Sequence, residues 1–128
     1  MSEQRSDADQ VHADAYEALV TGWLTLPEVA EALGVGINRV RQLVAERQLI
    51  AVRRGENNAL MVPADFVQDG RVLKGLPGLL TLLSDARYGN DEAMRWLYTD
   101  DDLPGWPVQA LRENRGTEVK RRAQALGF

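Results

Sequence analysis

Cysteine is absent from the chain and histidine occurs once, as His12. Without thiols there is no disulfide framework, and a lone imidazole has nothing beside it to complete a zinc site. The missing cysteine agrees with a reducing compartment, so the cytoplasm is the expected location. No apolar run approaches the ~18 residues that a membrane helix needs, and nothing resembles a leader peptide, so no membrane partner is expected. Phosphate-cradling loops are lacking too, because Gly34-Val35-Gly36 is too short for a dinucleotide fingerprint. The consecutive carboxylates Asp100, Asp101 and Asp102 project in different directions and suit a solvated loop better than a magnesium site. With no convergent set of histidines, cysteines or carboxylates, the expectation is a protein that is not an enzyme and carries no metal or cofactor.

A basic excess is also missing overall. The net charge of −4 at first argues against a nucleic-acid partner. Divided by region it does not, because residues 1–22 hold five acids against one base, and residues 23–67 and 68–128 each balance. Between residues 37 and 54 the bases Arg39, Arg41, Arg47, Arg53 and Arg54 face only Glu46. Local clustering of this kind sets an electrostatic footprint more than the global balance does.

What the sequence does have is a sharply punctuated pair of helices. Thr25 and Glu28 stand at capping-box spacing, and Leu24 and Val29 can staple across the same helix start. Leu26, Val29, Ala30 and Leu33 form one buried stripe, and Gly34 supplies a left-handed terminator. After the glycine turn, a second helix over residues 37–46 places Ile37, Val40, Leu43 and Val44 on one side. Its other side carries Asn38 and Gln42 near the centre, with Arg39 and Arg41 on the flanks. Asn and Gln pair bidentately with adenine, and Arg pairs with guanine or phosphate. That face fits the recognition helix of a helix-turn-helix.

Two β-prone runs within residues 49–62 flank Arg54-Gly55-Glu56-Asn57-Asn58, which reads as a hairpin closed by Pro63. Directly after a recognition helix such a hairpin is a wing, and it offers Arg53, Arg54, Asn57 and Asn58 to the DNA backbone or minor groove. Phe66 then anchors the wing through a helical turn. Glycine and proline crowd residues 70–78, and the domain boundary is placed near 70–77. Beyond it four helices are expected. The first carries Leu79, Leu80, Leu82 and Leu83 and stops at Gly89, and the second is capped by Asn90. The third starts at Pro107, and the fourth is capped by Thr117. Trp96 and Trp106 are expected in their core, and Lys120-Arg121-Arg122 on a solvated face. At the other end, residues 1–10 read as a disordered acidic tail, followed by a helix from Val11 to near Gly22.

The fold class is therefore mainly α with a small β-hairpin: a winged helix-turn-helix over residues 11–70, then a small C-terminal helical bundle over residues 75–128. Two stretches, WLTLPEVAEALGVGINRVRQLVAERQLIAVRRG and DEAMRWLYTDDDLPGWPVQALRENRGTEVKRRAQALGF, together resemble small actinobacterial winged-helix DNA-binding proteins with an extra C-terminal helical domain. The resemblance covers roughly residues 20–128. The first stretch alone also fits MerR-like regulators and phage excisionases. The second is loosely similar to the toxin-binding domain of Xre-type antitoxins. The resemblance implies a DNA-binding protein without a catalytic centre, its recognition helix on 37–46 and its wing on 53–58. On this reading Asn38, Gln42 and Arg39 address bases while Arg41, Arg53 and Arg54 hold phosphates of double-stranded DNA in a transcriptional regulator. The alternative is an antitoxin-like module that binds a protein through its C-terminal helices, and a homodimer stays open.

Overall fold

The computed structural model describes residues 18–99 and 106–126. Its first strand, β1 (Trp23–Thr25), runs straight into helix α1 (Leu26–Leu33). Thr25 makes that corner, for the Glu28 amide donates to its hydroxyl at 3.3 Å while its own amide donates to the Glu28 carboxylate at 2.8 Å. The reciprocal pair satisfies two amides that a helix start would otherwise leave open. It also holds the Glu28 carboxyl below its ordinary pKa, the backbone bond from Thr25 acting first and the hydroxyl second. Gly34, at φ 69, ends α1.

Helix α2 (Ile37–Ala45) buries Val40 and Leu43 against α1 and leaves the predicted polar side in solvent. It ends without a glycine. Arg47 takes up φ 57, its amide donating to the Val44 carbonyl at 3.1 Å and the Gln48 amide to Leu43 at 2.9 Å. The same double bond follows two of the C-terminal helices, with Arg87 and Asn114 in the left-handed position. Only the first of these four stops is announced by glycine, which left-handed termination normally favours.

The wing is the hairpin of β2 (Val52–Arg54) and β3 (Ala59–Pro63), registered Arg54 opposite Ala59. β1 pairs antiparallel with the far edge of β3, Trp23 opposite Pro63, to give a three-stranded sheet in the order β1-β3-β2. That strand was not read from the sequence, since three residues before a helix cap show no alternation of their own. A 3-10 turn, Ala64–Phe66, then buries the Phe66 ring as expected. A second hairpin of β4 (Val67–Gln68) and β5 (Arg71–Val72) runs into the stretch read as a boundary and is followed by fully buried Leu73.

Four helices complete the described chain: α3 (Leu76–Asp85), α4 (Asn90–Thr99), α5 (Pro107–Arg112) and α6 (Gly116–Ala125). Pro107 opens α5 as expected. Two expected caps move. Asn90 is the first residue of α4, with the Gly89 amide donating to Glu92, and Arg115 replaces Thr117 as the cap of α6. Trp96 and Trp106 are half-buried, Trp106 lying 6.3 Å from the Tyr98 ring. The expected acidic tail and the body of the Val11 helix lie outside the described residues, as do Asp100, Asp101 and Asp102. Residues 18–22 are a turn followed by chain without regular structure, where the end of a helix was expected, although Leu19 and Val20 do pack on the core.

Both halves share one hydrophobic cluster, which runs from Val29 and Val40 through Phe66 and Leu73 to Leu83, Leu97 and Val119. A polar seam reinforces the junction. Arg112 donates to the carbonyls of Asp65 at 2.8 Å and Val67 at 3.1 Å, and the Tyr98 hydroxyl donates to the Asp65 carboxylate at 2.9 Å. Burial, then the Asp65 charge, push the Tyr98 phenol well above its ordinary pKa of 10.0. Because the folded pKa is the higher one, the stability from this group is intact below about pH 10 and declines as the unfolded chain begins to lose that proton. Tyr98→Phe should accordingly flatten the alkaline limb of a stability-against-pH curve measured by urea denaturation. An unchanged limb would show that the phenol contributes nothing there.

Among the described residues no helix is long and apolar enough to cross a membrane, and no cluster of three or more His, Cys, Asp or Glu is placed to hold a metal ion.

Candidate nucleic-acid interface

Four of the residues singled out in the sequence lie on one exposed ridge. Asn38, Arg39, Arg41 and Gln42 are all exposed along α2, opposite the buried Val40 and Leu43. The ridge is partly self-satisfied. Arg39 donates to the Gln42 side-chain carbonyl at 3.0 Å, and the Gln42 amide donates to Glu46 at 3.1 Å. Asn38 makes no side-chain hydrogen bond within the described residues.

The wing stands beside this helix. A groove of about 510 Å³ separates the two, floored by Leu26, Ile37, Val44 and Leu60, with Arg41 on one wall and Arg53 on the other. Two cations from different elements thus flank one cleft. Arg53 is exposed, its guanidinium donating to the Asn58 carbonyl at 3.0 Å and so bracing the wing loop. Asn57 and Asn58 are exposed at the tip, Asn58 at φ 54, a conformation asparagine accepts more readily than most residues. Glu56 is exposed among them and lowers the positive potential there.

Two arginines of the basic cluster are placed differently from their neighbours. Arg54 lies in β2 instead of in the turn, and its guanidinium stacks on the Trp23 indole at 4.3 Å from the ring centre. A contact of this kind contributes about 0.5–1 kcal/mol and holds the cation flat against the sheet. The sequence reading missed Trp23, because its partner is brought near only by the unread strand β1. Arg47 leaves the ridge altogether and points into the C-terminal helices. The cations exposed on the α2 and wing face are therefore Arg39, Arg41 and Arg53.

Comparison with known proteins bears on both halves. Residues 11–67 match the family described as DNA-binding protein Rv2175c, wHTH domain, and residues 73–127 match the Rv2175c C-terminal domain of unknown function. The chain belongs to the Rv2175c family. Its relative in Mycobacterium tuberculosis (strain ATCC 25618 / H37Rv), the DNA-binding protein Rv2175c, is 41% identical over 117 residues, which span 80% of this chain and 79% of that protein. The NMR structure of Rv2175c superposes with a TM-score of 0.71 at 40% identity, covering 84% of this chain and 82% of that one. The resemblance to winged-helix proteins with an added C-terminal domain therefore holds in both halves, and Rv2175c membership replaces the looser likenesses. The architecture is a winged helix-turn-helix followed by packed C-terminal helices.

Proposed function

We propose that this Rv2175c-family protein binds double-stranded DNA and regulates transcription, with α2 in the major groove and the wing on the adjacent backbone. The observation that carries the proposal is the juxtaposition of an exposed amide-and-arginine ridge with a wing, two arginines flanking the groove between them. The relative's description as a DNA-binding protein supports it. Asn38, Gln42 and Arg39 address base edges. Arg41 and Arg53 contact phosphates, and Arg54, drawn onto Trp23, reaches the backbone only from the flank of the wing. No catalytic step belongs to this function. An antitoxin-like role for the C-terminal helices draws less support, because Met94, Leu97, Tyr98 and Val119 are buried within the shared core.

The division of roles has a direct test. Arg53→Ala is expected to weaken binding by the same factor on preferred and random duplexes, and to flatten the slope of log affinity against log salt by about 1, the signature of one lost phosphate contact. Fluorescence anisotropy over a salt series reads both quantities. A loss confined to the preferred duplex, with the slope unchanged, would instead make Arg53 a base-reading residue.

A further inference from the structure

Arg47 belongs by sequence to the basic cluster and by structure to a different task. It sits two residues after α2, in a left-handed conformation that strains an ordinary side chain and costs a glycine almost nothing. A residue needed only to end the helix would not have to carry a guanidinium. This one reaches 37 to 43 residues along the chain, donating to the Ser84 hydroxyl at 3.3 Å, the Tyr88 carbonyl at 3.3 Å and the Asn90 side-chain oxygen at 3.0 Å. Its Nε is shielded from solvent without a hydrogen-bond partner. A cation held for the DNA face would be turned toward water, not withdrawn in this way. Ser84 lies in the last turn of α3 and Tyr88 three residues beyond the helix, next to a C-terminus whose partial negative charge favours a cation. One fork therefore ties the end of α2 to the α3–α4 corner.

We propose that Arg47 is a positioning residue through which the C-terminal domain fixes the orientation of the recognition helix. The proposal rests on the DNA-binding reading for its functional consequence, but the latch itself is independent of DNA. Asn90 then acts on DNA binding without carrying charge and without lying on the α2 ridge.

Two variants separate the latch from its alternatives. Arg47→Gly keeps the left-handed backbone, indeed eases it, and removes the fork together with its charge. Asn90→Ala removes an acceptor and leaves every charge in place. In both, amide hydrogen exchange at Gln48 and Leu49, whose N–H groups donate to Leu43, should rise at least about threefold as the end of α2 loosens. Affinity for a duplex selected by the wild type should fall about tenfold for Arg47→Gly and about threefold for Asn90→Ala, the range in which coupled positions act on a distant site. The salt slope should stay within about 0.3 of the wild-type value, since no phosphate contact is lost. The double variant should bind no more weakly than Arg47→Gly alone.

If Arg47→Gly flattened the salt slope by about 1 while Asn90→Ala behaved as wild type, Arg47 would be a direct phosphate contact and the proposal would be overturned. Unchanged exchange at Gln48 and Leu49 in both variants would overturn it equally. That second readout needs no duplex, so a wild type that failed to bind DNA would remove the DNA reading while the exchange result still decided the latch.

Discussion

Phe66→Ala is expected to lower the free energy of unfolding by about 3–5 kcal/mol, the cost of deleting a buried aromatic ring whose surroundings cannot fully close in. Phe66 is 0% exposed and sits on the 3-10 turn that joins the wing to the second hairpin. The carbonyls on either side of it, at Asp65 and Val67, are those that accept from Arg112. The cavity would therefore open where the two halves meet. Because the core is continuous across that junction, the loss should reach both halves together. Urea denaturation followed by the NMR indole signals of Trp23, Trp96 and Trp106 reports on each half separately. One transition, shifted to lower urea and coincident for all three, is the expected result. Loss of the Trp23 signal while Trp96 and Trp106 kept their wild-type midpoint would mean that the halves fold as separate units.

Gln42→Ala and Asn38→Ala should each cost about 1–3 kcal/mol on the preferred duplex and little on random DNA. In the free protein the Gln42 amide is engaged by Arg39 and Glu46 on the same helix face. Exposed pairs at three- and four-residue spacing contribute only about 0.2–0.5 kcal/mol each, whereas a bidentate amide–adenine pair is worth about 1–3 kcal/mol of discrimination. Exchanging the first for the second is favourable, so the intrahelical bonds orient Gln42 without locking it. Selection from random duplexes at two salt concentrations, with the wild type and both variants, measures the effect. The wild type should enrich a defined site that the variants enrich poorly. Equal losses on selected and random DNA would show that neither residue reads a base.

The helix-turn-helix was legible in the sequence because local signals agree there. Thr25 and Glu28 mark the start, Gly34 marks the stop, and the apolar stripe of α2 leaves one polar ridge. The wing was legible from its turn residues and Pro63. What escaped depends on contacts between distant segments. β1 is three residues long and is defined only by pairing with β3. The stacking of Arg54 on Trp23 follows from that pairing. The second hairpin lies among glycines, where turn composition hides short strands. Arg47 and Arg87 end their helices in a conformation that sequence signals assign to glycine. Arg47 belongs to the basic cluster of residues 37–54 by sequence alone, since nothing local says that a side chain just past a helix will turn toward residues 84–90.

An NMR titration of the full chain with a selected duplex tests most directly whether DNA sits on the α2 ridge and the wing. Amide shift changes should concentrate at Gly36 to Gln42 and at Arg53 to Asn58, leaving the core of α4 and α6 unmoved. Changes centred on α4 and α6, with the ridge silent, would contradict the account and assign DNA binding to the C-terminal helices.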